Sequence, residues 1–120
     1  MSDSLAVGLE GSGSYEITAE MSPPHLPAPV LSTPSMIQLI EATCLSTVQP
    51  HLDEGQTTVG THVCVSHDAG AFAGETIEVR CRLAEIDRRR LTFDTTVTCG
   101  DRILSTGTHQ RAVVDLSRFG

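Results

Sequence analysis

Three residues of this chain carry the functional groups of acyl-transfer chemistry: Thr33 just before a helix-like segment, Glu41 inside it, and His67 closing the run Thr58-Val-Gly-Thr-His-Val-Cys-Val-Ser-His67. An alcohol, a carboxylate and an imidazole can supply nucleophile or hydrogen-bond donor, base and proton shuttle. Such a set predicts an enzyme, provided the fold brings the three groups to one place.

The helix that must position two of them is legible. From Pro34 to about Val48, Met36, Ile37, Leu39, Ile40, Cys44, Leu45 and Val48 recur at three- and four-residue steps, the pattern of a mostly buried helix. Thr33 then falls at the N-cap and Pro34 at the first helical position, with Ser35 and Gln38 as an alternative capping box. Capping alone would account for a Thr there. Glu41 lies among Ile37, Ile40, Cys44 and Leu45, where a carboxylate is costly unless it has a partner; an Arg paired for structural reasons is the alternative to a catalytic role. His67 continues the inward register of Val63 and Val65, toward core or pocket. His62, in the opposite register, and His109, on a strand tail, read as surface or structural residues.

Flanking segments complete the fold. Residues 1–13 are small, polar and Gly-rich, predicting a flexible N-terminal segment ahead of a single domain over 14–120. Ser14–Glu20 alternates as a half-buried strand, and Pro23, Pro24, Pro27 and Pro29 stiffen an extended loop suited to covering a pocket. After the helix come four strand-like runs, about Thr57–His67, Thr76–Ile86, Leu91–Cys99 and Ile103–Asp115, separated by Gly and Asp turns. Ile77, Val79, Cys81 and Leu83 alternate with Glu78, Arg80 and Arg82, so one sheet face is buried. Strand, loop, buried helix and four antiparallel strands describe an α+β hot-dog fold, an antiparallel five-stranded sheet wrapped around one long central helix.

Composition narrows the partners. The net charge is −7, with eight Arg and no Lys, which argues against nucleic acid. Arg88-Arg89-Arg90, flanked by Glu85, Asp87 and Asp94, reads as a solvated turn or as a grip on the phosphates of a nucleotide-bearing substrate. Cys44, Cys64, Cys81 and Cys99 lack the close pairing of zinc sites and redox dithiols. Each sits at an apolar position of its segment, where a reduced thiol packs as a small hydrophobe, so no metal is expected and a reduced, cytoplasmic protein is. No apolar run approaches the roughly 20 residues of a membrane span.

Val30-Leu-Ser-Thr33-Pro-Ser-Met-Ile-Gln-Leu-Ile-Glu41, Gly60-Thr-His-Val-Cys-Val-Ser-His67 and Gly107-Thr-His-Gln-Arg111-Ala-Val-Val together resemble the fluoroacetyl-CoA thioesterase-like group of hot-dog enzymes, over roughly residues 14–119. The resemblance implies hydrolysis of an acyl-CoA thioester to acid and CoA without a cofactor. It assigns catalysis to Thr33, Glu41 and His67, sets Gly60 close to the thioester carbonyl and Arg111 near the active site. It also implies a homodimer, or a tetramer built from it, whose sheets pair edge to edge around a shared site. In that group the loop before the helix carries phenylalanines, whereas here no Phe precedes Phe72, so fluoroacetyl selectivity does not carry over. A hot-dog module that binds acyl-CoA without hydrolysing it is the alternative reading.

Overall fold

Only a helix with apolar side chains on most of its circumference gains by being enclosed, and α1 (Thr33–Val48) is such a helix, with Met36, Ile40, Cys44 and Val48 fully buried. The computed structural model describes residues 1–119. Around α1 curls one antiparallel sheet of β1 (Glu10–Glu16), β2 (Gln56–Val65), β3 (Thr76–Asp87), β4 (Arg90–Cys99) and β5 (Arg102–Asp115), in the order β1-β3-β4-β5-β2. Its inner face supplies Ile77, Val79, Leu83, Leu91, Phe93, Val97, Leu104 and Val113, all buried against the helix or its neighbours. This is the α+β hot-dog arrangement expected from the element order.

β1 and β2 are the edges, and β2 leaves Val59, Gly60, Thr61, His62 and Cys64 exposed. Within β2 the register against β5 shifts between Gly60 and His62, a bulge at Thr61. Bulges of this kind redirect backbone groups beside functional sites.

Two features differ from the sequence reading. The first strand starts at Glu10 rather than Ser14 and ends at Glu16, and the segment read as flexible over residues 1–13 is docked. Met1 N bonds Asp53 Oδ2 at 2.7 Å, Ser2 N bonds the His51 carbonyl at 2.9 Å, and Gly8 and Leu9 exchange backbone hydrogen bonds with Leu83. Small residues there reflect close approach rather than disorder, for a Cβ on Gly11 would overlap the Thr47 side chain where β1 crosses α1. Second, the helix cap is Ser32, not Thr33: Ser32 Oγ accepts from Ser35 N at 3.2 Å, leaving Thr33 at the first helical position and Pro34 at the second. Thr33 Oγ1 is thereby released for other partners.

Gly11→Ala should destabilise the fold by about 1–3 kcal/mol through overpacking, and adding Thr47→Ala should return part of it. Urea unfolding of the single and double variants measures this coupling.

Candidate active site

The turn after β2 is tied to β5, and the start of α1 to the 3-10 turn at Met21. Ser66 N and Asp68 N bond the Thr106 and Leu104 carbonyls at 3.0 and 2.7 Å, and Ser32 N bonds the Met21 carbonyl at 2.8 Å. Held between them, Thr33 Oγ1 and His67 Nδ1 lie 2.7 Å apart. His67 sits two residues beyond the end of β2, half-buried. The pair lines a cleft of about 390 Å³ whose other walls include Pro23, Leu26, Val30 and Ala69. The proline loop thus borders a pocket, with aliphatic rather than aromatic side chains.

Glu41 does not join them. Eight residues along the helix from Thr33, it is displaced by about 12 Å at 1.5 Å per residue, and it belongs to a second cluster. A methyl group placed on Gly60 would lie 3.3 Å from His109 Cε1 and 3.5 Å from both Arg111 Nη1 and Glu41 Oε1. Four residues from α1, β2 and β5 therefore converge on one small volume. Glu41 is half-buried and makes no hydrogen bond or ion pair among the described residues, the condition of a carboxylate free to act on a substrate or water.

Arg111 is buried, on an interior strand, with neither Asp115 nor Glu78 as partner. Its Nε donates to Thr58 Oγ1 at 2.7 Å, its Nη2 to the Thr58 carbonyl at 3.0 Å and its Nη1 to His109 Nε2 at 3.1 Å. Burial lowers its pKa, and the Glu41 carboxylate opposes that shift.

His109 was read from the sequence as a surface or structural residue on a strand tail; it is fully buried beside Glu41 and Arg111. The missed signal is register: two residues before Arg111 on the same strand, it shares Arg111's inward face. Burial above all, and then Arg111, lower its pKa, against the opposing effects of the His62 carbonyl and Glu41. His62 is exposed and contributes only that carbonyl, 2.8 Å from His109 Nδ1.

Among the cysteines, Cys44 is set aside as a nucleophile by its surroundings. The hydrogen bond to Cys81 and burial push the Cys44 thiol far up, which leaves it unreactive. Cys64 departs from the buried pattern of the other three and is exposed on β2. Arg88–Arg89 form the tight β3–β4 turn, with Arg88 at φ 58° and Arg89 Nη1 3.5 Å from Asp115. No helix among the described residues is long and apolar enough to cross a membrane.

A single antiparallel sheet curled round one helix defines a hot-dog fold, here with an unpartnered helix carboxylate and a Thr–His pair at the helix start. The family model for the fluoroacetyl-CoA-specific thioesterase matches residues 14–117, and the chain belongs to that family. It is 34% identical over 90 residues to the fluoroacetyl-CoA thioesterase of Streptantibioticus cattleyicolor, a match spanning 75% of this chain and 65% of the relative. The solved structure of the fluoroacetyl-CoA thioesterase FlK superposes with a TM-score of 0.91 at 28% identity, over 98% of this chain and 93% of that one. A variant of FlK in complex with fluoroacetate and CoA gives 0.89 at 28% identity, over 97% and 100% of the two chains. A thioesterase superfamily member from Thermus thermophilus, 20% identical, gives 0.87 over 95% and 87% of the two chains and shares the fold.

Because the folded protein favours the neutral His109 ring, the unfolded chain binds more protons on the acid side of an ordinary imidazole pKa, about 6.5. The stability this residue contributes is full above that pH and declines as pH falls toward its lowered folded value. His109→Gln should flatten that acid-side decline, with Arg111, Glu41 and His62 still facing the site; urea midpoints taken between about pH 5 and 8 read the difference.

Proposed function

We propose that the chain acts as one thioesterase domain, β1 and the docked residues before it included, that hydrolyses a small acyl-CoA thioester to the free acid and CoA. The half-buried, unpartnered carboxylate of Glu41 at the Gly60 opening carries this reading. Glu41 either takes a proton from water as it adds to the thioester carbonyl carbon or attacks that carbon itself. The carbonyl oxygen becomes an oxyanion in a setting of N–H donors, Arg111 on one side and the Thr33 backbone N–H at the start of α1 on the other. Collapse breaks the C–S bond, and His67, hydrogen-bonded to Thr33, delivers the proton to the departing thiolate; where Glu41 is the nucleophile, the acyl group is left on it as an anhydride, which water then hydrolyses to the free acid and the Glu41 carboxylate. Gly60 presents no side chain where the acyl group must pass.

Within one chain this chemistry is split, with Thr33 and His67 at one place and Glu41, Gly60 and Arg111 at another. We infer a homodimer that closes the gap. β2 is an exposed edge, and unpaired edges invite pairing; a two-fold axis gives an isologous, antiparallel pair. A two-fold axis near the middle of β2 brings each protomer's Gly60 toward the partner subunit's His67. The aliphatic cleft beside Thr33 suits a small apolar acyl group. Its wall lacks the aromatic lid, so no preference for a fluorinated acyl group is assigned. Four unpaired cysteines suit a reducing cytoplasm.

Free-thiol release from short, branched, aromatic and longer acyl-CoA esters tests the reading. Wild type should turn over at least one ester, and Glu41→Ala and His67→Ala should each lose about a thousandfold in kcat while Glu41→Ala still binds CoA esters. Binding of CoA esters by wild type with no turnover of any would instead make this a non-catalytic acyl-CoA-binding module.

A further inference from the structure

We propose that His109 is a positioning residue for the reaction: with Thr58 it locks the Arg111 guanidinium against Gly60 and Glu41, fixing the direction of the N–H groups that meet the substrate. The inference rests on the thioesterase reading of the Glu41 cluster.

The tautomer of His109 follows from its partners. A carbonyl oxygen only accepts, so the 2.8 Å contact with His62 places the ring proton on Nδ1. A guanidinium only donates, so the 3.1 Å contact with Arg111 Nη1 requires a lone pair on Nε2. One proton and one lone pair make a neutral ring, consistent with burial holding its pKa down. Protonated, the ring would turn an N–H toward another N–H and set two buried cations side by side. The bulge at Thr61 lies next to the carbonyl that anchors Nδ1, and Phe93 stacks at a centroid distance of 6.5 Å. The ring therefore has one orientation.

Arg111 is gripped at three of its five N–H groups, Nε and Nη2 by Thr58 and Nη1 by His109. Three contacts spread around a planar group prevent its rotation. One N–H remains on each terminal nitrogen, and Nη1 is as close to the space above Gly60 as Glu41 Oε1 is. In a buried site, donors fixed before the substrate arrives need no reorganisation as charge develops. Without His109, Arg111 would still be cationic but held on its Thr58 side alone, leaving both Nη1 N–H groups uncommitted near Glu41.

Three variants test this. His109→Leu keeps the bulk and removes both ring contacts; Thr58→Val keeps the shape and removes the Nε acceptor; His109→Gln restores one acceptor and one donor. We expect His109→Leu and Thr58→Val each to lower kcat about a hundredfold, the scale of a catalytic group misplaced by about 1 Å, with KM little changed, and His109→Gln to recover most of the loss. Nitrogen-15 NMR should show His109 as the Nδ1–H tautomer and the Arg111 Nε–H protected from exchange, with protection lost in His109→Leu. Should His109→Leu fail to fold, Thr58→Val carries the kinetic arm. Wild-type kcat in His109→Leu or Thr58→Val, beside an inactive Glu41→Ala, overturns the proposal and leaves the thioesterase reading standing. An Nε2–H tautomer, or an Arg111 Nε–H that exchanges freely in wild type, overturns it whatever the activity. If no ester is turned over, the functional reading falls, and the NMR result alone decides whether the clamp exists.

Discussion

A hydrogen-bonded helix holds its residues at fixed separations, and α1 carries both Thr33 and Glu41. At 1.5 Å per residue the two are held about 12 Å apart, and no side-chain rotation closes that distance. The rest of the molecule conforms to this constraint. The sheet curls because α1 is apolar on most sides and must be enclosed, and its strands advance about twice as far per residue as the helix does. Gly60 in β2 lies beside Glu41, and His67 in the turn that follows β2 lies beside Thr33, so each helix group meets its own partner from one stretch of chain.

The two clusters differ in physical character. Beside Glu41 stand two buried, fixed groups, a neutral imidazole and a guanidinium whose donors are largely committed within the protein. Around Thr33 they are more open, set at a cleft bounded by prolines and aliphatic side chains. Proline limits the backbone freedom of that loop, so its position costs little further entropy on ligand binding. An acyl thioester has the same division, with a polar reacting carbonyl next to an apolar chain.

Much of this was legible in the sequence. The spacing of Met36, Ile40, Cys44 and Val48 located α1 to within a residue, and alternation located β3 and β4 nearly as well, because each buries one regular face. β1 was misplaced because its start is defined by Gly11, whose reason for being small is Thr47, 36 positions away in the chain. Ser32 and Thr33 are both competent caps, and local pattern could not choose between them; the bond from Thr33 to His67 separates them. His109 was underrated for a similar reason. Its place depends on a bulge in β2 and on the burial of Arg111, both products of tertiary packing. Periodicity reports which face is buried, whereas a site depends on which distant segments share that face.

In the dimer we infer, each active site takes Glu41 from one protomer and Thr33–His67 from the other. Co-expression of Glu41→Ala and His67→Ala chains with different affinity tags yields a mixed dimer that can be purified away from both inactive parents. If sites are shared across the two-fold axis, one site of the mixed dimer has both mutations and the other has neither. The account predicts about half of wild-type thioester hydrolysis per dimer. A mixed dimer as inactive as its parents, or a protein that hydrolyses the ester as a monomer, would contradict it.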